Sequence, residues 1–113
     1  MIRTSSSFEA EWDSGILTVK VTGEIDHHSA VTLRQGMDAL LYEKRPRMTV
    51  LDLSGVDFMD SSGLGLIMGR YALQKELGGE LTVRNPTPGV LKIIELAGME
   101  RLIKIERKAV NKI

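Results

Sequence analysis

The chain contains no cysteine among its 113 residues. Disulfides, thiol nucleophiles and thiolate-held zinc are therefore out of consideration. Charge of either sign is not in excess, because 15 lysines and arginines balance 15 aspartates and glutamates. No overall field draws the chain to nucleic acid or to an anionic membrane. Long apolar runs are missing too, and none approaches the roughly 18 residues of a membrane span. Met1-Ile2-Arg3-Thr4-Ser5-Ser6-Ser7 has one basic residue and no apolar stretch behind it, so it does not read as a signal peptide. Its polarity makes residues 1–7 a mobile polar arm, with residues 8–113 as a single domain. What remains is 42% hydrophobic and 27% charged, the composition of a soluble globular protein at home in the cytoplasm.

Residues 8–12 alternate apolar and polar, Asp13-Ser14-Gly15 offers a turn, and residues 16–21 are rich in β-branched side chains. These make an amino-terminal hairpin, closed by Thr22-Gly23-Glu24. Ala30, Leu33, Met37, Leu40 and Leu41 then recur at helical spacing. Asp26 or Ser29 can cap that helix, Arg34, Gln35, Asp38 and Glu43 take its opposite face, and Pro46 ends it. Gly36 in mid-helix costs about 1 kcal/mol against alanine, a cost consistent with close packing. A short apolar strand at residues 48–53, interrupted by Asp52, precedes a second helix from about Ser62 to Gly78-Gly79. Residues 80–84 form the next strand. Thr87 as N-cap and Pro88 at the first helical position open a third helix, which Gly98 terminates. Val90, Leu91, Ile94 and Leu96 or Ala97 supply its apolar side, and residues 102–106 are a last strand.

The order β-β-α-β-α-β-α-β predicts an α/β fold. Its central sheet is mixed, with the later strands parallel, joined by right-handed crossovers and packed against by the helices. Functional residues in such sheets gather beyond the carboxyl ends of the strands. Residues 24–27 and 57–65 should therefore meet at one edge.

Asp60-Ser61-Ser62-Gly63 lies where a strand hands over to a helix, a place of unpaired N–H groups and positive dipole. It suits an anion, or a serine that becomes one by phosphorylation. Competing chemistries fit less well. Ser61 or Ser62 with His27 or His28 does not stand in a Gly-x-Ser-x-Gly elbow, and no oxyanion loop accompanies them. Gly63, Gly65 and Gly69 miss the dinucleotide spacing by one place, and no Gly-Lys-Ser/Thr is present. His27 and His28 point about 100° apart on a helix and find no third metal ligand at suitable spacing. A receiver-type aspartate would need an acidic pair after the first strand, where Thr22-Gly23-Glu24 stands instead. The second helix carries Leu64, Ile67, Met68 and Tyr71 on one side and Leu66, Leu73 and Leu77 on another. Such a helix is buried on more than one side or faces a partner.

Gly23-Glu-Ile-Asp-His-His-Ser-Ala30, Phe58-Met-Asp-Ser-Ser-Gly-Leu-Gly65 with Gly69-Arg-Tyr71, and Gly78-Gly-Glu-Leu81 resemble the STAS-domain anti-sigma factor antagonists. The Asp-His-His and Gly-Arg-Tyr details are most similar to the sporulation type, the antagonists of anti-sigma F. The resemblance covers about residues 12–105, and the chain departs from it where family members continue into a fourth helix. It implies a STAS fold and a non-enzymatic switch without cofactor. Unphosphorylated members bind an anti-sigma factor that is also an ATP-dependent serine kinase, and so release the sigma factor. The kinase inactivates them by phosphorylating the serine after the block's aspartate, here Ser61, and a PP2C-type phosphatase restores them. Asp26, His27, Asp60, Ser62, Gly63, Leu64, Gly65 and Met68 are the implied partner-binding residues, Gly63 and Gly65 by letting the kinase approach the backbone. Ser62 is also a possible helix cap. The alternative is a STAS-like domain that binds a nucleotide or small ligand.

Overall fold

Ser14 and Gly15 both take positive φ, 52° and 86°, the handedness that a two-residue hairpin turn requires. They join β1 (Ser6–Asp13) to β2 (Ile16–Ile25) as an antiparallel pair. α1 (His27–Lys44), β3 (Met48–Met59), α2 (Ser61–Glu76), β4 (Glu80–Arg84), α3 (Pro88–Leu96) and β5 (Lys104–Glu106) follow. A 3-10 turn at Met99–Arg101 precedes β5. The structure is a computed structural model and describes residues 6–107. Its five strands lie in sequence order, with β2 to β5 mutually parallel. The expected mixed α/β architecture is the observed one. Met1 to Ser5 of the expected arm, and residues 108–113, where the resemblance implies a fourth helix, lie outside the described residues. Ser6 and Ser7, assigned to the arm on polarity, pair with Gly23 and Thr22 instead.

Alternation sends Leu17, Val19 and Val21 of β2, Leu51 and Leu53 of β3, and Leu81 and Val83 of β4 into the core. They form one cluster with Leu33, Met37 and Leu41 of α1, Leu66 and Ile67 of α2, and Val90 and Ile94 of α3. Each such side chain contributes roughly 1.5–3 kcal/mol on burial. Gly36 has its reason here, because a Cβ would lie 2.7 Å from the Phe8 ring. In α3, Leu96 is exposed rather than inward, and Met99 of the following turn fills the core instead.

Two strands run further than their residues suggest. β2 continues through Gly23, at φ 99°, to Ile25, and β3 continues to Met59. Lys20 pairs with Asp52 but Thr22 with Gly55, and Gly23 pairs with Val56 but Glu24 with Phe58. β3 thus carries two extra residues, as bulges that interrupt the ladder locally and increase its twist. Asp52 Oδ1 accepts from the Ser54 N–H at 2.9 Å beside the first bulge.

α2 holds the main surprise. Its inward face includes Arg70 and Gln74, both buried. Gln74 is fully enclosed; its Nε2 donates to the Pro46 carbonyl at 2.8 Å and its Oε1 accepts from the Thr49 hydroxyl. It fastens the end of α2 to the start of β3. Replacing Gln74 by Met should leave both partners unsatisfied, at about 1–3 kcal/mol for each buried group. Urea denaturation should show a lower midpoint at an unchanged slope.

Candidate functional site

Two helices begin side by side at the carboxyl edge of the sheet. Ile25 pairs with Met59, and the Asp60 N–H donates to the Ile25 carbonyl at 3.1 Å. Residues 24–27 and 57–65 meet there, as the strand order implies.

Each helix is capped by an aspartate in extended conformation. Asp26 Oδ1 accepts from the Ser29 N–H at 2.8 Å, while Ser29 Oγ accepts from the Asp26 N–H at 3.0 Å. This reciprocal box uses both residues that sequence offered as alternatives. Ser29 is consequently buried, its hydroxyl also donating to the Glu24 carbonyl at 3.1 Å. Those hydrogen bonds, led by the one from the Ser29 backbone, hold the Asp26 carboxyl below its ordinary value. At α2, Asp60 Oδ1 accepts from the Ser62 N–H at 2.8 Å. Ser62 is therefore not the cap. It is the second residue of the helix and supplies a donor that the Asp60 carboxylate satisfies. Thr87, the expected cap of α3, stands at the N-cap position but turns its hydroxyl to the Val56 carbonyl at 3.1 Å.

Ser61 is the first residue of α2 and is exposed. His27, first in α1, is exposed as well, and Leu64 and Met68 are half-buried against the core. The two glycines of the motif differ. A Cβ on Gly63 would stand 2.2 Å from Met59 Cγ, so this buried residue seats α2 on the end of β3. The expectation that Gly63 opens its backbone to a kinase is corrected accordingly. Gly65 is exposed, and a Cβ there would meet nothing within 4 Å.

Between α1 and α2 runs a groove of about 300 Å³. His27, Ala30, Val31 and Arg34 form its α1 wall. Ser62, Gly65, Leu66 and Arg70 form the other. Arg70 is 7% exposed; its Nε lies 2.7 Å from Asp38 Oδ1 and its Nη1 donates to the Leu66 carbonyl at 3.3 Å. The Nε–Asp38 contact is a Coulombic pair rather than an aligned hydrogen bond. Burial lowers the Arg70 pKa, and the Asp38 carboxylate opposes that shift. Asp38 is thus half-buried against α2, not on an outer face of α1 as its spacing suggested. Arg34, Asp38 and Arg70 were missed as neighbours. The available signal was Arg70 and Gln74 at core spacing after Ile67, polar residues on an inward stripe.

A family model for the STAS domain matches residues 7–110. The chain belongs to the STAS domain family. This STAS domain is similar to the anti-sigma F factor antagonist of Paenibacillus polymyxa, with 38% identity over 91% of this chain and 88% of that one. The crystal structure of an anti-sigma factor antagonist from Mycobacterium paratuberculosis superposes with a TM-score of 0.82 at 29% identity, covering 90% of this chain and 86% of the other. The Bacillus cell fate determinant SpoIIAA in its phosphorylated form shares the fold, with a TM-score of 0.72 at 23% identity over 91% and 92% of the two chains. Among the described residues, no helix of this STAS domain is long and apolar enough to cross a membrane.

Two measurements test the site's construction. A carboxyl with a depressed folded pKa adds stability above its unfolded value, ordinarily 3.8, and loses it as pH falls through the folded value. Asn caps about as well as Asp, so Asp26→Asn should match the parent near neutrality and lose less stability as pH falls from 3.8 through the folded value. Gly63→Ala should destabilise by about 1–3 kcal/mol through overpacking against Met59, seen as a lower thermal midpoint.

Proposed function

We propose that this chain is an anti-sigma factor antagonist controlled by phosphorylation of Ser61, acting as one domain in the cytoplasm and having no catalytic activity of its own. The reading is carried by one observation: an exposed serine at the first position of a helix, directly after its capping aspartate. The names of the relatives, and a phosphorylated form of SpoIIAA with the same fold, support it. Unphosphorylated, the domain binds an anti-sigma factor that is also a serine kinase, and the sigma factor is released. Asp26, His27, Asp60, Ser62, Leu64, Gly65 and Met68 surround the contact, and Gly63 holds the helix that presents it.

In the inactivating step the Ser61 hydroxyl attacks the γ-phosphorus of ATP bound to the kinase. The Oγ–P bond forms, the bond to ADP breaks, and the hydroxyl proton passes to a base on the kinase. A PP2C-type phosphatase hydrolyses the ester and restores the antagonist. The phosphate brings about −1.5 to −2 charges. At the start of α2 the helix dipole favours that charge, so the fold tolerates it. In the complex the dianion is desolvated beside the Asp60 and Asp26 carboxylates. A loss of about 2.7 kcal/mol there weakens binding roughly a hundredfold, and an unpaired buried charge can cost more.

Ser61→Ala should abolish phosphate incorporation from ATP by the cognate kinase while keeping its binding. Mass spectrometry finding the phosphate on Ser62 would overturn the assignment. In calorimetry Ser61→Asp should weaken the complex with little change in thermal midpoint; unchanged affinity would defeat the electrostatic switch.

A further inference from the structure

β1 forms one edge of the sheet, and among the described residues no strand pairs with its outer side. Its eight residues keep register with β2 from Ser6 to Asp13, with neither a bulge nor a proline. Every second residue of such a strand turns its N–H and C=O away from the sheet, where they can pair with one further strand.

The side chains decide which strand fits. Residues opposite each other in a ladder project to the same face. Glu9, Glu11 and Asp13 stand opposite Lys20, Thr18 and Ile16, on the face away from the core. All three carboxylates are exposed, and no ion pair among the described residues engages them. Lys20 faces Glu9 across the ladder, and at the turn the Ser14 hydroxyl donates to Asp13 at 3.0 Å while Arg47 donates to the Ser14 carbonyl at 3.1 Å. Glu11, between them, has only Thr18 opposite.

Phe8, Ala10 and Trp12 stand opposite Val21, Val19 and Leu17, on the face that carries the core. Phe8 is covered by α1 at Gly36, but Ala10 is exposed. Trp12 is 42% exposed, with Lys44 Nζ 5.6 Å from its ring centroid. The edge is therefore acidic on one face and apolar on the other. A second copy of β1 is a poor occupant, because antiparallel pairing about Ala10 sets Glu9 against Glu11 twice, and like charges directly opposite are destabilising. A strand with lysine or arginine at alternate positions reverses the sign of that interaction. Apolar residues between them would cover Ala10 and Trp12.

We propose that β1 receives an extended segment of a partner protein, alternating basic and apolar residues, as an added strand of the sheet. Backbone pairing supplies affinity, and the two faces of the edge supply selection. The surface is separate from the phosphorylation proposed above, since β2 lies between β1 and β3, the strand from which α2 begins. The domain holds such a partner whether or not Ser61 carries a phosphate.

The test titrates the chain with a synthetic peptide of alternating lysine and valine, as long as β1, followed by amide NMR. Two control peptides accompany it: alternating glutamate and valine, and the same lysines and valines gathered into two blocks. The alternating lysine peptide should shift the amides of Glu9, Ala10, Glu11 and Trp12, and both controls should leave them unmoved. Unmoved β1 amides, or equal shifts with either control, would overturn the proposal. So would shifts of the β1 amides on diluting the chain alone, which would make a second copy the occupant. Glu11→Lys combined with Asp13→Lys should invert the preference, favouring the glutamate peptide over the lysine one by about tenfold. Glu9→Gln with Glu11→Gln, which keeps shape and removes charge, should weaken the lysine peptide about fivefold, whereas Ser61→Asp should leave it within twofold. An unchanged preference in the lysine variant, or full affinity in the glutamine variant, would defeat the charge argument. Weakening by Ser61→Asp beyond twofold would show that the edge is not separate from the phosphorylation site.

Discussion

The hydrogen bond from the Asp60 N–H to the Ile25 carbonyl is where the architecture of the site is settled. It closes the parallel ladder between β2 and β3 at the point where both strands give way to helices. Because a helix can begin only where its first N–H groups find acceptors, the two capping aspartates follow immediately. Asp26 and Asp60 are brought beside one another by backbone pairing, not by any contact between their side chains. The position of Ser61 is inherited from that pairing.

α2 is held at both ends by interactions of different character. At its start Gly63 admits Met59 against the helix backbone, an approach that any side chain would prevent. Towards its end Gln74 reaches the Pro46 carbonyl and the Thr49 hydroxyl from a fully enclosed position. Between them Arg70 is paired with Asp38 of α1. Polar groups this deep are stable only when matched, since an orphaned one loses its hydration without return. They therefore set the rotation and height of α2 more narrowly than leucine contacts alone, and with them the face the helix shows to a partner.

A switch built at this place has a simple physical logic. Negative charge on Ser61 lies at the favourable end of a helix dipole, so the folded domain accepts it. The same charge in an interface must give up water beside two carboxylates. The proposed modification would then act on association far more than on folding.

Local chemistry alone determined much of this protein. The order of elements, the hairpin turn at Ser14-Gly15, the stop at Gly78 and the motif around Ser61 all follow from neighbours in sequence, because turns, caps and helical periods are short-range properties. The STAS resemblance was legible in the same blocks. Other features belonged to tertiary structure. Ser54-Gly55-Val56-Asp57 lies beyond the strand expected at residues 48–53, yet pairing with β2 carries it as a bulged strand. Gly63 and Gly65 are equivalent on paper, yet one lies under Met59 and the other open to solvent. Arg34 and Asp38 share one helix face by spacing, but the approach of α2 draws Asp38 into a pair with Arg70 and leaves Arg34 on the groove wall. Such outcomes depend on which element lies opposite, and a single chain segment carries no record of its neighbour across the fold.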